Sequence, residues 1–201
     1  MFYKKSSFNF TDKSQFYVKN IFKDLFISNF CHDLRDIVPD GFLITPPGKE
    51  LVKYFFTLGL LKNIKKIQVF VSNLDTWYIG NPHVDLTHDN IPSLIKSRFN
   101  ILVLGNPADQ MHWWKEINSI DQLKLQEYTY FNGGKYFSYG IPGDTIDQRW
   151  TYLGPPTCSI ADLLTTSAFV KTNCVHTVNV SPGPRLVITA ILDIDLEDII
   201  I

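Results

Sequence analysis

The sequence predicts a mainly β protein, a sandwich or barrel of short strands behind a helical N-terminal third. Three observations predict it. From residue 67 onward, short runs rich in β-branched and aromatic residues recur between clusters of Gly, Pro, Asn and Asp. Before residue 67, apolar residues recur at helical rather than alternating spacing. Aromatics are plentiful, with 15 Phe, 9 Tyr and 4 Trp, which suits an all-β core or an aromatic-lined pocket. A length of 201 residues suits one domain: 1–66 as helical support, 67–193 as the β core and 194–201 as a tail.

The N-terminal third is read as mainly helix. Phe16, Ile21, Phe22, Leu25, Phe26 and Phe30 fall at roughly helical spacing, as on a helix packed against a core. Cys31-His32 invites a metal reading, but no partner cluster lies near in sequence. Val38-Pro39-Asp40-Gly41 reads as a turn. Pro46-Pro47 opens a second helix, because proline is tolerated in a first turn. Its apolar stripe is Leu51, Tyr54, Phe55, Leu58 and Leu61. Lys62, Lys65 and Lys66 suit the negative end of that helix, and so short a run reads as a solvated face rather than a nucleic-acid patch.

About eight short strands are expected beyond it. Residues 67–71 alternate and are β-branched, and 77–79 run on into 83–85. Residues 98–104 form a strand stopped by Gly105-Asn106-Pro107. Residues 127–131 and 135–139 flank Asn132-Gly133-Gly134, a hairpin signal. Residues 147–153, 167–170, 176–180 and 185–192 complete the set. Ser181-Pro182-Gly183-Pro184 reads as a tight return that puts His176 and Arg185 on neighbouring strands.

The bulk properties narrow the function classes. A net charge of −1 gives no field that points to nucleic acid or an anionic membrane. The cysteines, Cys31, Cys158 and Cys174, are odd in number and not closely paired, which argues against a disulfide framework or a thiolate zinc site. The N-terminus leads into no long apolar run, and the longest such stretch, Tyr54 to Leu61, is broken by Thr57 and Gly59. The expectation is a cytoplasmic protein with no membrane or nucleic-acid partner. No serine-nucleophile motif and no phosphate-binding glycine loop occurs.

The chemistry concentrates at His83-Val84-Asp85. Two residues apart on a strand, a histidine and a carboxylate project from one face and can take adjacent positions on one metal ion. His176, 93 residues on, offers a third ligand. Two histidines and a carboxylate form the facial triad of non-haem iron(II) oxygenases, which leaves positions open for a cosubstrate and oxygen. By parity, His176, Val178 and Val180 share an inward face. Arg185, Val187, Thr189 and Ile191 share another; if that face is interior, Arg185 is a buried cation that needs a partner, and a dicarboxylate is an apt one. The plain alternatives are a solvated loop for His83 and Asp85, a satisfied core histidine for His176 and a surface ion pair for Arg185. His88 competes with Asp85 as a ligand, Trp113 or Trp114 either lines a pocket or packs in the core, and the tyrosines of the hairpin either stack on a substrate or pack. Cys174 reads as a buried, inert thiol.

His83-Val84-Asp85, His176 and Arg185, nine residues further on, together resemble the iron(II)/2-oxoglutarate-dependent dioxygenases over about residues 67–193. The likeness is to small bacterial and phage proteins related to aspartyl/asparaginyl β-hydroxylases and free amino acid hydroxylases. It rests also on Arg98-Phe99-Asn100-Ile101 after the first motif and on Thr172-Asn173 before the distal histidine. The resemblance implies a double-stranded β-helix, or jelly roll, flanked by helices. It implies that His83, Asp85 and His176 bind Fe(II) and that Arg185 pairs with the distal carboxylate of 2-oxoglutarate, with Arg98 and Asn100 as further contacts to cosubstrate or substrate. The implied reaction consumes 2-oxoglutarate and O2 and hydroxylates a small molecule or an amino-acid-like side chain. Many members carry a hydroxyl residue two positions after the arginine, where this chain has Val187; Thr189 shares that face. A cupin-like metalloenzyme without 2-oxoglutarate and a catalytically silent jelly-roll binding module are the other readings. The acid–apolar tail from Asp193 to Ile201 has no assigned role.

Overall fold

A computed structural model describes residues 1–25, 30–33, 41–80, 82–85, 95–106, 108–114, 124–129, 135–140, 155–160 and 167–201, with 25, 30–33, 79, 124–129 and 135–140 described through the backbone alone. Among the described residues two α-helices, α1 (Asp12–Phe22) and α2 (Pro46–Thr57), lie among antiparallel strands. The early strands are β1 (Tyr3–Lys5), β2 (Phe30–Asp33), β3 (Ile64–Leu74), β4 (Tyr78–Ile79), β5 (His83–Val84), β6 (Ser97–Leu104) and β7 (Gln110–Trp113). The later ones are β8 (Lys124–Thr129), β9 (Lys135–Gly140), β10 (Cys158–Ile160), β11 (Ser167–Lys171), β12 (His176–Val180) and β13 (Gly183–Leu192). One sheet runs in the order β1-β11-β6-β13-β3-β2 and the other β10-β7-β12-β5-β9-β8, with β4 also paired to β12. This arrangement is consistent with a jelly-roll-like fold.

The helices form because their ends are satisfied and one face is apolar. The Thr11 hydroxyl accepts from the Ser14 amide, and Glu50 of α2 accepts from the Thr11 amide and from the Thr11 and Ser14 hydroxyls, so one helix caps the other. Thr45 caps α2, whose first two residues are Pro46 and Pro47. Val18 and Phe22 of α1 and Leu51 and Phe55 of α2 pack on the outer face of the first sheet, against Val69, Phe99, Phe169 and Ile188. Alternation then sets the interior. Leu186, Ile188, Ala190 and Leu192 of β13 belong to that helix-side core, so Arg185, Val187, Thr189 and Ile191 face the second sheet. A second cluster, of Met111 and Trp113 with Ala168 and Val170, fills the space between the sheets; Leu102 and Val178 pack on it.

Several expectations are corrected here. The N-terminal third holds helices shorter than expected and also three strands or parts of strands: β1, β2 and the start of β3. Phe30, read as helical, is in a strand opposite Val71, while Phe16 is 71 % exposed. The Ser181–Pro184 turn does not make a hairpin, because β12 and β13 lie in different sheets. Both edges of each are already taken: β13 by β3 and β6, β12 by β7 on one side and β4 and β5 on the other. The strands at 67–71, 98–104, 167–170, 176–180 and 185–192 are borne out, and β8 pairs β9 with Thr129 opposite Lys135. Strands β7 and β10 were not anticipated. The expected strand at 147–153, the Asn132–Gly134 turn, the Val38–Asp40 part of the first turn and His88 lie outside the described residues.

The tail acquires a role. Leu196 and Ile199 are buried in the helix-side core, and Asp193 pairs with Lys65 and Lys96. Trp113 and Trp114 are both buried, in line with core packing, and the Trp113 indole N–H donates to the Lys171 carbonyl. No helix among the described residues is long and apolar enough to cross a membrane.

Candidate metal centre

His83, Asp85 and His176 come together. One ligand atom from each lies within 4.8 Å of the others. His176 opens β12 and is the cross-strand partner of His83 in β5, so the rings sit side by side with centroids 4.6 Å apart. Asp85 follows just beyond the end of β5. Its amide donates to the Thr172 carbonyl and its own carbonyl accepts from the Ile95 amide, which fixes the backbone where the carboxylate can turn back to the histidines. The Thr172 hydroxyl closes the corner by donating to the Ile95 carbonyl.

The electrostatics leave room for a cation. Asp85 Oδ1 is 3.3 Å from His83 Nε2, and Oδ2 is 3.8 Å from His176 Nε2. The Nδ1–H of His176 donates to the Cys174 carbonyl at 2.9 Å, so the proton of the neutral ring is on Nδ1 and Nε2 carries a bare lone pair. Burial pushes the His176 imidazole down to about 4, against the pull of Asp85. Burial alone would raise the Asp85 carboxyl, but Arg98 and the hydrogen bond from His83 more than offset it and hold the group well below the usual carboxylate range. A neutral imidazole lone pair thus faces an ionised carboxylate. The bare His176 nitrogen and the already ionised Asp85 can both ligate without first losing a proton, so the residues fit a metal ion. The side-chain exposures fall from 28 % at His83 to 4 % at His176, so the site opens to solvent on the His83 side.

The other expected residues divide. Arg98, on β6, reaches the centre: its Nε donates to Asp85 Oδ2 at 2.6 Å and its Nη1 to Gln68 Oε1 at 3.2 Å. Asn100 does not reach the triad but accepts from the Thr189 hydroxyl, its cross-strand neighbour on the same inward face. Arg185 faces the space between the sheets, as parity required, but its partner is a protein carboxylate. Its Nε donates to Asp109 Oδ2 at 3.1 Å, and Asp109, 1 % exposed, also accepts from the amide and hydroxyl of Ser181. Asp109 thus gives Arg185 a counter-charge within the protein. The Nη1 and Nη2 of Arg185 make no hydrogen bond among the described residues.

A comparison with solved structures finds weak likeness. A viral collagen prolyl hydroxylase from Paramecium Bursaria Chlorella virus-1, in its 2OG complex, is 9 % identical with a TM-score of 0.40, over 95 % of this chain and 94 % of that one. Iron-bound HygX from Streptomyces hygroscopicus is 9 % identical with a TM-score of 0.44, over 94 % of this chain and 80 % of that one. No protein-family model and no curated protein matches.

Two residues of the neighbourhood escaped the sequence reading. Gln68 was reachable by parity, since it shares the inward face of β3 with Phe70. Asp109 carried no signal, because it lies in an Asn-Pro-Ala-Asp stretch that reads only as a turn. Cys174, expected to be buried, is half-buried, and desolvation pushes its thiol up to about 12. The side chains of Cys31 and His32 and the hairpin tyrosines lie outside the described residues.

Proposed function

We propose that the protein is an Fe(II)- and 2-oxoglutarate-dependent oxygenase of double-stranded β-helix fold, folded as one domain. It hydroxylates a small molecule or an amino-acid or peptidyl side chain. The observation that carries this reading is the convergence of His83, Asp85 and His176, a two-histidine, one-carboxylate donor set with an open side. Those three residues would hold the iron. When bound, iron with 2-oxoglutarate and O2 supplies the oxidation that replaces a carbon-bound hydrogen with hydroxyl.

The chain's own residues orient and enclose. The Cys174 carbonyl locks the ring tautomer of His176. Arg185 offers two terminal nitrogens to the distal carboxylate of 2-oxoglutarate, in the forked geometry that suits a carboxylate. Val187, Leu102 and Val178 keep the space between the sheets apolar and exclude water from it. Arg98 acts on Asp85, and Asn100 with Thr189 presents a polar pair on the same inward wall.

One observation favours a second reading, a cupin-like metalloenzyme that uses no 2-oxoglutarate. The Asp109 counter-charge gives Arg185 a reason to be buried without any cosubstrate. An anaerobic titration separates the two. Metal-free protein is loaded with iron(II) and then with 2-oxoglutarate, and the visible charge-transfer band of the chelate is followed. A saturable band supports the oxygenase. Iron binding with no band at any 2-oxoglutarate concentration contradicts it and leaves the cupin-like reading.

A further inference from the structure

Arg98 stands apart from the ligands yet touches one of them more closely than any other described side chain does. Its guanidinium is held at three points. The Nε donates to Asp85 Oδ2 at 2.6 Å, the Nη1 donates to Gln68 Oε1 at 3.2 Å, and the central carbon lies 5.8 Å from the centroid of the Phe70 ring. Gln68 is 4 % exposed and the Arg98 side chain 11 %, so neither is held by water in place of these contacts. The anchors come from β3 and β6 of one sheet, while Asp85 follows β5 of the other.

We propose that Arg98 is a positioning residue that decides how Asp85 meets the metal, by occupying Oδ2 and leaving Oδ1 as the ligating oxygen. The inference rests on the metal-centre reading above. An ionised carboxylate can ligate through one oxygen or two. A short, charge-assisted hydrogen bond on one oxygen favours ligation through the other. Arg98 therefore keeps Asp85 a one-oxygen ligand and leaves a coordination position to exchangeable molecules. This reassigns Arg98 from a contact to cosubstrate to a holder of the ligand. Gln68 is the link behind it, fixing the guanidinium in the plane that reaches Oδ2.

The test uses cobalt(II) as a spectroscopic probe, titrated into metal-free wild type, Arg98→Met, Arg98→Lys and Gln68→Leu. Affinity is read by calorimetry and coordination by the visible d–d spectrum. Circular dichroism and thermal unfolding of each metal-free variant report folding separately. The expected result is a loss of affinity of about tenfold or more in Arg98→Met with an altered spectrum. Arg98→Lys should restore part of both, since an ammonium can still donate to Oδ2. Gln68→Leu should give a smaller shift in the same direction, and it carries the test if Arg98→Met does not fold. If Arg98→Met loses only stability, and its folded form binds cobalt with wild-type affinity and spectrum, Arg98 is a structural tie and the inference is wrong. If wild type binds no cobalt, the metal-centre reading itself fails, a result distinct from the previous one.

Discussion

At the scale of single residues, His176 and Asp109 set the behaviour of the interior. His176 is buried and neutral, its imidazole pushed down to about 4, whereas an unfolded histidine titrates near ~6.5. Below ~6.5 the unfolded chain therefore takes up a proton that the folded chain refuses. The metal-free protein should lose stability as pH falls from ~6.5, reaching a loss of about 3 kcal/mol by pH ~4 from this group alone. The depressed Asp85 acts in the same direction, adding a loss once unfolded carboxyls protonate. Urea unfolding of metal-free protein at a series of pH values checks this, and a flat profile between pH ~7 and ~4 would contradict it. Arg185→Ala strands the buried Asp109 carboxylate and should cost about 3 kcal/mol, even though two Ser181 donors remain. The double variant Arg185→Ala/Asp109→Asn should recover part of that loss in the same urea measurement. An activity assay on Arg185→Ala alone would confuse this destabilisation with loss of the proposed cosubstrate contact.

At the scale of elements, what was legible followed from local pattern and what was not depended on partners. Strand β12 was readable to the residue because His176, Val178 and Val180 recur at the two-residue period of a strand, although Thr177 between them is buried as well. Strand β13 was readable because a central strand buried on both faces is a continuous apolar run. The triad itself was legible, because a histidine and a carboxylate at a spacing of two needed only a distant histidine on an inward face. The sheet assignment of β12 and β13 was not, because a Pro-Gly turn looks alike whether it closes a hairpin or steps between sheets. Phe30 followed the helical spacing of its neighbours but pairs with β3, where tertiary contact overrides propensity. Helix α2 offers the element-scale test. A Cβ at Gly48 would lie 1.9 Å from the Phe42 carbonyl oxygen and 2.6 Å from Leu43 Cα, both backbone atoms. Gly48→Ala must push α2 off the preceding turn and should cost about 1–3 kcal/mol, measured as a fall in unfolding midpoint. Phe99, in ring contact with Phe8, Tyr54, Phe55 and Phe169, should cost about 3–5 kcal/mol as Phe99→Ala.

At the scale of the whole molecule, two ion pairs among the described residues cross the interior between the sheets, Arg98 to Asp85 and Arg185 to Asp109. The helices cover one face of the first sheet, the apolar cluster around Trp113 joins the two sheets, and the donor set sits where β5 and β12 meet. Metal bound there stabilises only the folded chain, by about 2.7 kcal/mol when free metal is a hundredfold above its dissociation constant. Thermal unfolding with cobalt(II) and then with excess chelator should differ by roughly 5–10 °C for a chain of this size. The most direct test of the account is the anaerobic binding stoichiometry of iron(II) to metal-free wild type and to His176→Ala, with the fold of each checked by circular dichroism. The account predicts one iron per chain in the wild type and a loss of binding of at least about a hundredfold in the variant. No binding in the wild type, or equal binding in the two, would contradict a metal centre built from His83, Asp85 and His176.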